Sequence, residues 1–307
     1  MGVKNILFSY YYFRSQLNAR SGDASLLLRT MREAKGKGFR FMLDSGAFTY
    51  HMKGEKMGSR LPSPKKYVEE YLTFVKEHGD LFDVIVEFDV DGSIADPDRP
   101  GQMITTAQVD DWSNTFLSVP GVAERYMPVF HAHRGKNWLD AWLAETVSPY
   151  VGVASSLNDG VAGIIARCHQ WGKFVHGFAQ TGVHTTLKYA PFDSVDSTTW
   201  LRADKYGGTC IYMNGKWIVL DHLHKADRAR YRRWYENWGL DFSLIAKDDL
   251  QENRLATIVA WRELANSFER KGLMKQKPYL WQLMQEGKVF LTHPYVTAKK
   301  RKGDDVG

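Results

Sequence analysis

Phe41-Met42-Leu43-Asp44-Ser45-Gly46 is an apolar run that ends in a carboxylate, a hydroxyl and a glycine. The same plan returns in Val84-Ile85-Val86-Glu87-Phe88-Asp89, in Tyr126-Met127-Pro128-Val129-Phe130-His131 and in Phe192-Asp193-Ser194-Val195-Asp196-Ser197. Short, nearly continuous apolar runs are the pattern of parallel strands buried on both faces. A polar residue that closes such a run leaves the core where the strand stops. In a β/α barrel the carboxyl ends of all strands converge on one site. Asp44 and Asp196, far apart in sequence, are then expected to face one substrate.

Working outward, candidate strands fall at Ile6–Tyr12, Arg40–Asp44, Asp83–Asp89, Arg125–His131, Tyr150–Ser155, Lys173–Ala179 and Phe192–Asp196, with Trp217–Leu220 as an eighth. Helical spacing fills Ser25–Lys35, Pro64–His78, Thr106–Leu117, Trp138–Thr146 and Ala162–Trp171, and a short segment around Thr185–Tyr189 precedes the strand at Phe192. Tyr67, Tyr71 and Phe74 form one stripe of the second helix. This alternation predicts an α/β fold with a parallel sheet and crossover helices. Eight strands favour a closed (β/α)8, TIM-like barrel. An open dinucleotide-binding sheet would want Gly-x-Gly-x-x-Gly after its first strand, where Tyr10-Tyr11-Tyr12-Phe13-Arg14 stands instead. No Walker-type loop occurs. From about Arg228 the chain turns polar, helical and rich in Trp and Arg, with helices expected at Leu255–Phe268 and Pro278–Gly287 and a disordered end at Gly303–Gly307. We therefore divide it into a barrel catalytic domain, 1–230, and a helical, basic C-terminal extension packed on the barrel, 231–307.

Composition narrows the class. Hydrophobic residues make up 44% and charged residues 25% of the 307 residues, the balance of an ordinary globular protein. No apolar stretch approaches the roughly 20 residues of a membrane span, and the start of the chain lacks the features of a secretory signal. Cys168 and Cys210 offer no disulfide framework, so an intracellular, cytoplasmic setting is expected. The formal net charge of +6 suggests a polyanionic partner. Basic residues gather late, at Arg228, Arg230, Arg232 and Arg233 among Tyr231, Trp234, Tyr235 and Trp238, and again at Lys299-Lys300-Arg301-Lys302. Mixed basic and aromatic surfaces suit phosphate contact with base stacking, while helical spacing puts about half of those aromatics in a core.

The strand ends carry the candidate chemistry. Asp44-Ser45-Gly46 has the residue types of a helix cap as well as of a site. Glu87, Asp89 and Asp91 put three carboxylates in five residues. Asp-x-Asp-Gly resembles part of a calcium loop, but the remaining ligand spacing is missing; closely spaced carboxylates raise one another's proton affinity, which suits proton transfer or binding of a base edge. His131 and His133 do not complete a metal site, and His131 is expected to bond a substrate or a carboxylate. Asp196 among hydroxyls fits a nucleophile at a sugar anomeric carbon. Neither a Gly-x-Ser-x-Gly elbow nor a reactive cysteine setting is present.

These strand ends resemble the tRNA-guanine transglycosylase superfamily, β/α barrels that exchange guanine in nucleic acid for a 7-deazaguanine base. Asp44-Ser45-Gly46-Ala47-Phe48-Thr49 resembles the family's Asp-Ser-Gly-Gly-aromatic-Gln, which implies acid–base work for Asp44, with Ser45 at the base and Phe48 stacking on it. Phe88-Asp89 resembles the strand end that recognises the base. Phe130-His131 occupies the place of the base-contacting Gln-Gly, and Val151-Gly152-Val153-Ala154-Ser155 resembles the glycine-rich end after it. His176-Gly177-Phe178 resembles the end that covers the other face of the base, and Val195-Asp196-Ser197 the nucleophile. The order matches over roughly Ile6 to Arg202. The family's Cys-x-Cys-x-x-Cys zinc site is absent; Cys210 with His222 and His224 is all that remains, so no structural zinc is expected. A short, basic, zinc-less member resembles the phage-type branch that modifies DNA.

The resemblance implies base exchange at C1′ of a deoxyguanosine, with DNA and a 7-deazaguanine base as partners and no cofactor. Asp196 attacks C1′, Asp44 serves the leaving and incoming bases, Asp89 pairs with the Watson–Crick edge, and Phe48 and His176 sandwich the ring. The target base leaves its stack, with Arg202, Lys205, Arg230 and Arg233 offsetting that through phosphate contacts. The alternatives are the same chemistry on tRNA, a glycosylase or glycoside hydrolase with water as acceptor, and a binding-only barrel. The last has no need of convergent carboxylates that repel phosphate.

Overall fold

The computed structural model describes residues 5–18, 23–57, 61–154, 160–179, 192–197, 208–220, 225–270 and 289–292. They form a mixed α/β structure whose main sheet is parallel throughout. In chain order the elements are β1 (Asn5–Ser9), α1 (Tyr10–Asn18), α2 (Asp23–Gly36), β2 (Arg40–Asp44), α3 (Ala47–Met57), α4 (Pro64–His78), β3 (Val84–Val86), α5 (Thr106–Leu117), β4 (Tyr126–Met127), β5 (Val129–Phe130), α6 (Gly135–Glu145), β6 (Tyr150–Val153), α7 (Val161–Gln170), β7 (Phe174–Gly177), β8 (Ser194–Ser197), β9 (Thr209–Met213), β10 (Lys216–Leu220) and, after further helices, β11 (Val289–Thr292). The large sheet has the order β4-β3-β2-β1-β11-β8-β7-β6-β5.

The two ends of that order, β4 and β5, are separated in the chain only by Pro128, which cannot donate to a ladder. The strip they form is bonded on both sides. Glu87 N donates to Met127 O at 2.9 Å, while Gly152 N donates to Pro128 O at 2.8 Å and Ala154 N to Phe130 O at 3.2 Å.

The apolar runs are continuous because both strand faces are covered. Leu7, Met42, Val84, Val86, Met127 and Val129 gather in one buried cluster. The alternating residues Phe8, Phe41, Leu43, Ile85 and Tyr126 gather in another, with Tyr67, Tyr71 and Phe74 of α4. Each such side chain contributes about 1.5–3 kcal/mol when fully buried. Local signals start the helices: Ser63 Oγ accepts from Lys66 N with Pro64 at the first position of α4, and Thr105 with Gln108 makes a capping box on α5.

Three expectations need correction. The first strand stops at Ser9, and Tyr10 opens α1, because its ring packs 4.8 Å from Tyr71 and 5.4 Å from Tyr67 and Phe74. Trp217–Leu220 is not a strand of the parallel sheet. It belongs to β10, which pairs antiparallel with β9 through a turn whose Asn214 and Gly215 both have positive φ. The parallel sheet instead includes β11, seated between β1 and β8. It lies within 231–307, so that stretch is more than a helical extension and the boundary at 230 does not separate it from the sheet.

The β9–β10 hairpin packs against the helix Leu250–Arg270 in a second core that holds Cys210, Ile211, Leu220, Trp234, Tyr235 and Trp261. Arg228, read from sequence as part of a basic surface, is fully buried there. It donates to Ile245 O at 2.9 Å and Leu220 O at 3.3 Å and also contacts Asp248. Among the described residues no helix is long and apolar enough to cross a membrane. Thr185–Tyr189, Pro278–Gly287, His222, His224, Lys299–Lys302 and Gly303–Gly307 lie outside the described residues.

Candidate active site

Because the ladder is parallel, all its carboxyl ends share one edge. Ser9 is paired with Asp44 there, and Gly177 with Val153 and Val195. Helix α4 steadies that edge: Tyr67 Oη donates to Ser45 O at 2.7 Å and Tyr71 Oη to Val86 O at 2.9 Å. Carbonyls at a strand end, Val86, and just beyond one, Ser45, thus find donors while buried.

Asp44 closes β2, and its Oδ2 accepts from Gly46 N at 3.2 Å. Gly46 has φ +81°, and a Cβ there would meet Tyr11 Cβ at 2.6 Å, so only glycine fits. Burial pushes the Asp44 carboxyl up to about 7, with the charges of Asp89 and Asp196 adding to the rise and the Ser9 hydroxyl and Gly46 N–H opposing it. Asp89 and Asp196 therefore lie close enough to Asp44 to act on it electrostatically. A carboxyl held near neutrality can give and take a proton.

Asp196, in β8, is buried; its Oδ1 accepts from Ala179 N at 2.7 Å and lies 3.5 Å from His176 Nε2. Ala179 has φ +52°, a left-handed conformation that aims its N–H at the carboxylate. His176 Nδ1 is 2.8 Å from Ser194 Oγ. Its ring is buried and meets Phe178 edge-on at 4.6 Å, so among the described residues it presents no open stacking face. Ser45 is fully buried, with its Oγ accepting from Ala47 N at 3.4 Å across the turn that leads into α3. Phe48, one residue into that helix, is 77% exposed, an unusual setting for a phenyl ring. Gly177 is buried at the end of β7.

Asp89 follows β3, and its Oδ2 is 2.8 Å from His131 Nε2. Burial pushes the His131 imidazole down, but the Asp89 carboxylate outweighs it and the net direction is up. Two neighbours of this pair were not foreseen in their roles. Glu87 and Asp91 turn to Arg134, which has no exposed side-chain surface and bonds Glu87 Oε2 at 2.8 Å, Asp91 Oδ1 at 2.5 Å and Asp91 Oδ2 at 2.8 Å. These two carboxylates are engaged by an internal cation and not arranged as a metal loop. Among the described residues no cluster of His, Cys, Asp and Glu could hold a metal ion. Arg134 takes its meaning only once two strand ends are paired, with acids at 87, 89 and 91 on one and His131, His133 and Arg134 on the next.

Arg230 and Arg233 are exposed, Arg230 with an ion pair to Asp227 at 3.2 Å. Arg202 and Lys205 lie outside the described residues. Cys168 is buried, and burial pushes its thiol up to about 12, which suits a core residue and not a nucleophile. No protein-family model, curated protein or solved structure matches this chain.

Proposed function

We propose that this protein is a guanine transglycosylase that exchanges guanine in DNA for a 7-deazaguanine base through a covalent sugar–aspartate intermediate. The observation that carries the reading is the gathering of Asp44, Asp89 and Asp196 at one edge of the parallel sheet, with Asp44 held near neutrality. The reading includes a closed sheet. With β4 and β5 taken as one strand bent at Pro128, the order of pairing returns on itself with eight strands, the count of a β/α barrel.

In this mechanism an oxygen of Asp196 attacks C1′ as the glycosidic bond to guanine breaks. The N–H of Ala179 fixes the other carboxylate oxygen, so attack needs little reorganisation. Asp44 gives its proton to the departing base and later takes one from the incoming base, which attacks C1′ and releases Asp196. Two displacements retain the anomeric configuration. Asp89, backed by His131, accepts from the N–H groups of the Watson–Crick edge. Exposed Phe48 supplies a stacking face for the extruded nucleotide.

The test is incubation of the protein with DNA, and separately with tRNA, in the presence of 7-cyano-7-deazaguanine, followed by nucleoside mass spectrometry. The expected product is a deoxynucleoside bearing the deaza base. Modification of tRNA alone would move the substrate to RNA. Release of guanine without incorporation would make water the acceptor and overturn the exchange reaction.

A further inference from the structure

Arg134 carries a role that this chemistry does not itself require. Residues Glu87, Asp89 and Asp91 form a row of acids facing His131, His133 and Arg134. The rungs are Glu87 with Arg134, Asp89 with His131 at 2.8 Å, and Asp91 with both His133, at 2.8 Å, and Arg134. Only the middle rung is free of Arg134. The guanidinium bonds both oxygens of Asp91 and one of Glu87, lies 4.6 Å over the Trp138 ring, and is closed off from solvent. Its partners are themselves fixed. Glu87 also accepts from Ser113 Oγ and Val129 N at 2.9 Å, and Asp91 from Thr106 Oγ1 at 2.9 Å. The residues on either side of Asp89 are thus locked to the strand end that carries His131.

We propose that Arg134 is a positioning residue: its planar fork sets the register between the Glu87–Asp91 and His131–Arg134 strand ends and so aligns Asp89 with His131 for base recognition. The role in recognition rests on the transglycosylase reading; the alignment itself does not. A lysine at 134 keeps the charge but cannot span two carboxylates with one rigid plane. Thr106→Val removes one bond to Asp91 and changes no charge. Neither substitution alters the charges that face His131, which come from Asp89, Asp91, Arg134 and, when protonated, the His133 ring 5.4 Å away. A change in His131 titration in either variant therefore reports geometry.

The experiment is an NMR titration of the His131 imidazole in the full-length native protein, Arg134→Lys and Thr106→Val, with His131→Gln to assign the signal and circular dichroism to confirm folding. The expected result is a fall of the His131 pKa towards its ordinary value in Arg134→Lys and a smaller fall in Thr106→Val. Base-exchange kcat/KM should drop about a hundredfold in the lysine variant, the scale of a misplacement near 1 Å. Native titration of His131 in the folded variants would overturn the proposal, and if Arg134→Lys does not fold, Thr106→Val decides. Absence of base exchange by the native protein would sink the transglycosylase reading while the titration still judged Arg134.

Discussion

Asp44 is held where its charge is least welcome, half-buried at a strand end and within reach of the charges of Asp89 and Asp196. The folded protein therefore binds a proton there more tightly than the unfolded chain. The sign follows from proton linkage: stability is fully present below the ordinary carboxyl pKa, falls as pH rises from about 4 to about 7, and is flat above. Moving a carboxyl over that range corresponds to about 4 kcal/mol, and solvent reaching a half-buried group reduces it. Asp44→Asn is expected to exceed the native protein in stability by about 2–3 kcal/mol at pH 8 and to match it near pH 4. Urea denaturation at both values measures this, and an equal difference at both would refute the linkage. On the proposed chemistry the same variant loses base exchange. Asp196→Ala, by contrast, is expected to abolish covalent capture of DNA, read as a denaturant-resistant band shift, while leaving weak DNA binding. Gly46 shows how tightly the turn beside Asp44 is built: Gly46→Ala forces a left-handed alanine against Tyr11, with an expected loss of about 3 kcal/mol in thermal or urea unfolding.

Elements were legible where their signals were local. Ser63-Pro64 and Thr105 with Gln108 carry cap chemistry within a few residues, and α4 and α5 run over the expected residues, Pro64–His78 and Thr106–Leu117. Tyr10–Tyr12 read as strand because tyrosines favour strands; packing of Tyr10 against α4 decided otherwise, and that contact spans more than fifty residues. The hairpin was readable in principle. Asn214-Gly215 between two apolar runs is a strong two-residue turn signal, and weighing it would have kept Trp217–Leu220 out of the parallel sheet. The candidate aspartates were legible because each ends an apolar run. Arg134 was not, because its meaning lies in which two strand ends become neighbours. Helix α5 serves that pairing directly, presenting Thr106 to Asp91 and Ser113 to Glu87. Thr105→Ala removes the cap at its first turn and is expected to cost about 1 kcal/mol. Urea unfolding checks it, and no change would mean that Gln108 alone suffices.

At the scale of the whole molecule, the sheet depends on four residues close to the end of the chain. Strand β11 pairs with β1 through Ile6 and Leu7, and with β8 through Val195, Asp196 and Ser197. Its sequence, Val289-Phe290-Leu291-Thr292, is strand-like, but nothing local says that it crosses back to join the first strand. That pairing is a long-range contact, and it sits beside the proposed nucleophile: Phe290 is the register partner of Asp196. A chain ending at Arg270 would keep the hairpin and its helix, since their core is made of residues 210–264. It would leave β1 and β8 with unpaired edges, which are prone to aggregate. We expect such a truncation to be poorly soluble, or to unfold without a single cooperative transition, and to lose base exchange entirely. A soluble, cooperatively folding truncation that still exchanged guanine would mean that β11 is dispensable and that β8 holds Asp196 in place without it. Point substitutions separate pairing from chain length. Proline at Leu291 removes one ladder donor and leaves the chain complete, so matching losses in this variant and in the truncation would assign the effect to the strand.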